Sequence, residues 1–327
     1  MTKNNSLILL LFATALLSCE FLGLTDSSIP TQGEYLYYVS QGEKNPGDQI
    51  FRYSLEHENH QELTSFNGAY NLIFDINPDG NNLVIQTSGY GASEGKLYLF
   101  NIAEGKTKKL EAKATLNPFN LTDTTFVHAE GRFPIWSPNG RYIAYNHVSL
   151  PVLGIYDNYI YDVKKKTISA VEFNQDDEFG VYWASDSERI FFRRVKTNAT
   201  GLYVSGLKGE NQAKVFDKYM LINTGYSEEL VFGNTESEIH LINKNTIEVE
   251  RKYVLNIPDL DSFNIIEFID KKNRLLLDVN RFIDDKRIHG IYLYNLNTGK
   301  HELVLEASDK IKLGSYSKYY NPYLTSN

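Results

Sequence analysis

Between Ile135 and His147 the chain reads IWSPNGRYIAYNH, an apolar strand broken by Pro, Asn and Gly and resumed at once. The arrangement returns as FDINPDGNNLVI at Phe74–Ile85, as VYWASDSERIFF at Val181–Phe192, and in weaker form as NTGYSEELVF at Asn223–Phe232 and EFIDKKNRLLL at Glu267–Leu277. With the position of Pro138 as marker, the copies fall at Pro78, Pro138, Ser185, Gly225 and Asp270, at spacings of 60, 47, 40 and 45 residues. A second pattern follows each copy: a short apolar strand with an aromatic at a fixed place, then a polar turn. That place holds Phe51, Tyr98, Tyr159, Tyr203, His240 and Tyr292. The intervals leave no room for a crossover helix, so the strands must form antiparallel meanders.

A period of 40–60 residues with four strands in each unit points to propeller blades. Pro-Asn-Gly then joins the first strand of a blade to the second. Gly supplies a positive φ, Asn or Asp tolerates one, and Pro ends a strand because it cannot donate to the ladder. Asp79-Gly80 and Asn139-Gly140 suit this turn well, Asp186-Ser187 less well and Lys271-Lys272 poorly. The N-terminal unit, YLYYVS from Tyr35 and IFRYSL from Ile50, lacks a first strand. Tyr320-Asn321-Pro322 near the C-terminus matches Trp136-Ser137-Pro138. The expectation is an all-β, six-bladed β-propeller of four-stranded antiparallel blades over residues 35–324, its first blade closed by the C-terminal strand. Closure of that kind removes an exposed sheet edge. The aromatic content of 13 %, mostly Tyr and Phe, suits strands.

The segment WSPNGRYIAY, followed by YIYDV, resembles the PD40 repeat of TolB-like β-propellers, and the resemblance runs over roughly Tyr35–Leu324. It implies the propeller fold. TolB itself carries an additional N-terminal α/β domain, whereas here the repeat is expected to occupy the chain beyond its leader.

Lys3, the apolar run Leu7–Leu17 and the terminal LLSC at Leu16–Cys19 resemble a lipoprotein signal peptide with its lipobox. The run is too short to span a bilayer. The resemblance implies cleavage after residue 18, lipidation of Cys19, and a tether over residues 19–34. Cys19 is the only cysteine, so no intramolecular disulfide forms. Two or three acyl chains, at roughly 0.8 kcal/mol per buried CH₂, hold a soluble domain firmly to a membrane. The net charge of −8 argues against a phosphate-backbone binder, so no nucleic-acid partner is expected. The cationic run Lys164-Lys165-Lys166 reads as a solvated turn.

Candidate ligand-binding residues follow from the blade layout, because propeller loops usually bind at the face carrying the loop into the first strand and the loop between strands two and three. The longest such segment, Glu111–Gly131, is expected as a flap. With Asn146–Asn158 it brings His128, Glu130, Arg132 and His147 toward one mouth. His128 and His147 are two imidazoles without a defined third ligand, so a metal remains one reading and polar loop histidines the other. Asp176-Asp177-Glu178 offers three carboxylates, either for a hard cation or for an ion pair with Arg193-Arg194. Trp136 and Trp183 hold equivalent places beside the turn, either stacking on a sugar or peptide or packing between blades. GASEG at Gly91–Gly95 matches G-x-S-x-G but lies between strands, where a nucleophile elbow cannot form.

No catalytic residue and no cofactor is assigned. The reading is a membrane-anchored, non-enzymatic binding or scaffold propeller of the cell envelope, presenting loops to a protein, peptide or glycan. Asn-, Lys- and Tyr-rich usage points to an AT-rich Gram-negative source, so the outer membrane is the expected location. The alternative is a metal-assisted lyase or hydrolase acting on an acidic oligosaccharide at the axial face, as in some propellers with similar repeats. A spacer without a specific ligand is the third reading.

Overall fold

The computed structural model describes residues 35–325 apart from 43–45, 55–56, 58, 89–94, 114–125, 151–154, 172–175, 185, 196–200, 217–220, 224–229, 235–237, 244–247, 270–272 and 308–322. Cys19, the tether, Ser93 and the marker positions Ser185, Gly225 and Asp270 lie outside the described residues. Every regular element among the described residues is a strand, as the repeat predicts.

The first meander contains β1 (Tyr35–Gln41), β2 (Asp48–Ser54) and β3 (Asn59–Glu62), joined by the last strand of the chain, β26 (Tyr323–Thr325). The second is β4 (Tyr70–Ile76), β5 (Asn82–Ser88), β6 (Gly95–Asn101) and β7 (Lys106–Lys109). A short hairpin follows, β8 (Glu111–Lys113) and β9 (Phe126–His128). The third meander is β10 (Glu130–Trp136), β11 (Tyr142–Leu150), β12 (Ile155–Asp162) and β13 (Thr167–Ala170). The fourth is β14 (Asp177–Trp183), β15 (Arg189–Val195), β16 (Gly201–Gly206) and β17 (Ala213–Phe216). The fifth is β18 (Leu221–Asn223), β19 (Leu230–Asn234), β20 (Glu238–Asn243) and β21 (Val249–Val254). The sixth is β22 (Leu260–Ile269), β23 (Arg274–Ile283), β24 (Lys286–Asn295) and β25 (His301–Glu306).

Burial explains why these sequences form these strands. The second and third strands of a meander are covered on both faces, so β12 is buried at seven of its eight positions and reads as a nearly continuous apolar and aromatic run. Two fourth strands that end their sheets are polar: β7 is KTKK, exposed throughout, and β21 carries Glu250, Arg251 and Lys252. Charge on an edge discourages pairing with another chain.

The turn that punctuates the sequence closes by a bond from Gly140 N–H to Ser137 O at 2.8 Å, with Gly140 at φ +66°. Gly80 at φ +71° occupies the same place in the second meander. Ser187 fills it in the fourth at φ +58°, and its Oγ accepts the Asn139 N–H at 3.1 Å, tying that turn to its neighbour. In the sixth, Asn273 adopts φ +49°; Lys271-Lys272 lies outside the described residues.

Among the described residues, apolar clusters fill five seams between neighbouring meanders. Tyr37 and Ile50 of the first pack with Leu72 and Phe74 of the second; Val84 and Leu97 of the second with Trp136 and Tyr145 of the third; Ala144 and Ile160 of the third with Trp183 and Phe192 of the fourth. Ile239 and Leu241 of the fifth pack with Phe263 and Leu275 of the sixth. Leu276, Ile291 and Leu305 of the sixth return to Leu36, Tyr38 and Phe51 of the first. In the same place β26 pairs with β1, Tyr35 against Thr325, Leu36 against Leu324 and Tyr37 against Tyr323. Sheets that succeed one another and come back to the first form a β-propeller.

Two ends of the ring can therefore be distinguished. The turns between first and second and between third and fourth strands lie on one, the turn face. The loops into the first strands and between second and third strands lie on the other, the loop face. One expectation is corrected. The segment Glu111–Gly131 is not wholly a flap: its ends form β8 and β9, and β8 runs parallel to β13 on the outer side of the third meander, with Thr167 opposite Lys113. β10 also pairs with β6 through Glu130–Lys96 and Gly131–Gly95, which merges the second and third meanders into one ten-stranded sheet.

Candidate functional site

The loop face of the third and fourth meanders is organised by one local device used twice. β10 bulges between Arg132 and Ile135, where Phe133 adopts φ +53° and its N–H donates to Gln86 Oε1 on β5 at 2.9 Å. β14 bulges between Phe179 and Val181, where Gly180 adopts φ +62° and its N–H donates to Asn146 Oδ1 on β11 at 3.2 Å. In both, an amide side chain on the second strand of one meander catches the bulged first strand of the next. Bulges re-aim side chains at the end of a strand. Gly131 brings β10 hard against β11, since a Cβ there would lie 2.3 Å from Tyr145 Cδ2 and 2.7 Å from Asn146 O.

Around the second bulge lies a buried polar network. Glu178, Asn158 and Asn146 have relative exposures of 0 %, 0 % and 1 %. Arg194 stands directly opposite Glu178 in the β14–β15 register and donates to its Oε1 from Nη2 at 2.6 Å and from Nε at 3.2 Å. Asn158 Nδ2 donates to Glu178 Oε2 at 2.7 Å, and Asn146 Nδ2 donates to Asn158 Oδ1 at 2.6 Å. Arg194 also reaches Gln212 Oε1 at 2.8 Å, and its guanidinium lies 4.7 Å from the Tyr203 ring centre. A buried charge is tolerated when it is paired and its remaining hydrogen-bonding capacity is met, and both carboxylate oxygens of Glu178 are engaged.

The structure places the predicted residues as follows. Asp177 Oδ1 accepts the Tyr156 N–H at 3.2 Å, and Asp176 lies 3.8 Å from Arg194 Nε. The acidic run thus turns toward Arg194 and the backbone. Arg132 stacks its guanidinium 4.6 Å from the Tyr156 ring centre. His147, half-buried and opposite Asp157, meets Tyr159 edge-on at 5.4 Å. Glu130 is exposed beside Lys96. Arg132, Tyr156, Asn146, Asn158 and the acidic run share the side of β11–β12 that faces the fourth meander, whereas His147 alternates to the other side with Tyr145 and Tyr159, toward the second meander, so the structure does not bring it into the patch. His128 lies on β9, and its side chain is outside the described residues.

Trp136 and Trp183 belong to the other end. Each closes a first strand beside the turn face, with exposures of 6 % and 1 %. Trp183 stacks on Tyr142 at 6.0 Å and donates its Nε1–H to Ile135 O at 3.1 Å. Their rings fill seams rather than face solvent. Farther out, Tyr161 donates its hydroxyl to Glu111 O at 2.9 Å. Burial, with Glu111 and Asp162 nearby, pushes that phenol up to about 12. Among the described residues no group of three or more His, Cys, Asp and Glu converges as a metal cage.

Sequence reasoning missed Tyr156, Asn146 and Asn158 as members of the patch. The signal was present: all three lie in the loop-face segment beside His147, and Asn146 and Asn158 are polar positions in otherwise apolar strands.

No protein-family model matches the chain, and no curated protein matches it by sequence. Solved structures do match. TolB from Acinetobacter baumannii superposes with a TM-score of 0.58 at 11 % identity, over 91 % of this chain and 70 % of that one. An oligogalacturonate lyase in complex with manganese gives 0.54 at 12 % identity, over 83 % and 74 %. A chain from a nidogen/laminin complex gives 0.53 at 9 %, over 82 % and 92 %. The protein is thus an all-β propeller. Its fold is TolB-like, and at these identities the likeness defines the fold alone.

Proposed function

We propose that the protein is a lipid-anchored, non-enzymatic binding propeller of the Gram-negative cell envelope. In this reading residues 1–18 are a cleaved signal peptide, Cys19 carries lipid in the outer membrane, residues 19–34 are a tether, and residues 35–324 form the propeller. The patch of Arg132 and Tyr156 on the loop face receives a protein, peptide or glycan. The observation that carries the reading is the state of the acidic groups: Glu178 is spent on Arg194 and Asn158, and Asp177 on a backbone N–H, so they frame the patch instead of reacting in it. What remains at the patch, a guanidinium on a Tyr face, is the composition of a recognition surface.

The second reading, a metal-assisted lyase or hydrolase on an acidic oligosaccharide, draws on the likeness to oligogalacturonate lyase and assigns His128 and His147 to the metal. One experiment separates the two. The protein carrying a photocrosslinker at position 156 is irradiated in envelope membranes, and the purified protein is assayed on oligogalacturonate with added Mn²⁺. The binding reading expects a discrete adduct that is lost in Arg132→Ala, and no cleavage. Cleavage abolished by His147→Ala, without such an adduct, overturns it in favour of the lyase.

A further inference from the structure

The direction of β1 fixes where the chain enters the ring. Tyr35 is paired with Thr325 at the end of β26 and with Ser54 at the end of β2, and both of those strands end on the turn face. The other end of β1 reaches the loop face, where the Asp48 N–H donates to Ala69 O, just before β4. Tyr35, the first described residue, therefore stands at the turn face.

The turn face also carries exposed lysines, on a chain whose net charge is −8. Lys164, Lys165 and Lys166 project together from the β12–β13 turn, flanked by Lys106 on the second meander and Lys208 on the fourth, with Lys300 on the sixth. The Lys106 and Lys165 side chains are 76 % and 66 % exposed. Asp79, Glu188, Glu210 and Glu248 interrupt them, while Asp162 is held by Arg141 at 3.1 Å and lies 4.0 Å from Lys165, Asp186 is held by Arg189 at 2.8 Å, and Glu104 by Lys106 at 3.4 Å. The loop face carries more acids than bases: Glu130, Asp176, Asp177, Asp259, Asp261 and, at the tip of the long β23–β24 hairpin, Asp284 and Asp285, among Lys96, Arg132, Arg281, Lys286 and Arg287.

We propose that the turn face is a membrane-apposed surface that rests on anionic lipid headgroups, so that the loop face points away from the bilayer. The inference rests on the reading of Cys19 as the anchor. A tether over Glu20–Glu34 spans at most about 50 Å when fully extended, which brings the ring to the surface without fixing its orientation. The lysines supply the missing preference. Anionic headgroups attract each Lys near the surface within about a Debye length, and the acidic loop face is repelled by the same potential.

Full-length protein is coupled through Cys19, its only thiol, to a maleimide lipid, either in phosphatidylcholine vesicles or in vesicles with about 30 % phosphatidylglycerol. Lysine acylation rates are then read by mass spectrometry. Acylation of Lys106, Lys164–Lys166, Lys208 and Lys300 is expected to slow about threefold or more on the anionic vesicles and to recover at about 0.5 M salt, while Lys96 and Lys286 on the loop face stay unchanged. Lys164→Glu/Lys165→Glu/Lys166→Glu is expected to abolish the protection of Lys106 and Lys208. Equal rates on both vesicles, or protection of Lys96 and Lys286 instead, overturn the inference. Coupling enforces the anchor, so the anchor itself is tested separately by palmitate incorporation in cells, which must be lost in Cys19→Ser.

Discussion

The seam between the sixth and first meanders and the seam between the third and fourth meanders solve the same packing problem with opposite chemistry. The closing seam is apolar: Leu36 and Leu276 are fully buried, and Tyr38, Ile291 and Leu305 pack around them, reinforced by the β1–β26 ladder. The third-to-fourth seam has an apolar half toward the turn face, around Trp183, and a charged half toward the loop face, around Glu178 and Arg194. A closing seam only has to hold. A seam that opens onto a candidate binding patch also has to fix the direction of polar side chains, and a hydrogen-bonded charge pair fixes direction where an aliphatic contact does not. Buried ion pairs are weak evidence for stability, but losing one partner is severe.

The largest effect is expected from cutting the closing seam. Truncation after Ala307 removes β26 and leaves β1 without its inner neighbour, and denaturant unfolding followed by circular dichroism should lose its single cooperative transition. Next come two point changes that test the contrast directly. Arg194→Ala should cost about 3–5 kcal/mol by stranding the Glu178 charge, whereas Glu178→Leu combined with Arg194→Met should recover most of that loss. Leu276→Ala should cost about 2–5 kcal/mol through the cavity left in the closing seam, and no second polar change should rescue it. If Arg194→Ala proves neutral, the polar seam is not organised as described.

Turns should matter less than seams. Gly140→Ala forces a Cβ into the left-handed region at φ +66° and to 3.2 Å from Asn77 Oδ1, with an expected loss of about 1 kcal/mol by denaturant titration. The smallest effect is the response to acid at the turn face. Burial pushes the carboxyls of Asp162 and Asp186 up. Hydrogen bonds from the backbone N–H groups of Lys165 and Glu188, together with Arg141 and Arg189, outweigh it and hold both below the ordinary aspartate range. A depressed folded-state value favours the folded state above the unfolded value of about 3.9, and the benefit fades as pH falls through the lower folded values. Their contribution should therefore be constant near neutral pH, and stability should decline below about pH 4, less steeply in Asp162→Asn.

The repeat made the strand pattern, the turn positions and the pairing of chain ends legible, because each of these is local or periodic. The turn at Gly140 and the aromatic at Tyr159 are readable from residue type alone. The charged seam was only half legible. That Asp176-Asp177-Glu178 could meet Arg193-Arg194 follows from two strands facing each other. Which acid meets which arginine depends on the bulge between Phe179 and Val181, and a bulge leaves no periodic trace. Phe133 hides its bulge completely, since nothing about a phenylalanine before a proline announces φ +53°. The hairpin of β8 and β9 was missed for a different reason: its strands are three residues each, too short to alternate visibly.

Ring closure by the C-terminal strand is tested most directly by cross-linking across the pairs that form it. Leu36 faces Leu324 and Tyr37 faces Tyr323, and successive antiparallel pairs alternate between wide and narrow spacing, so one of the two has a geometry that a disulfide can bridge. In a Cys19→Ser background, Leu36→Cys/Leu324→Cys and Tyr37→Cys/Tyr323→Cys are oxidised mildly and run on non-reducing gels. Closure predicts near-complete intramolecular linkage in one of the two variants, accompanied by a rise in unfolding midpoint. Linkage in neither, with both proteins folded, would contradict the closed ring.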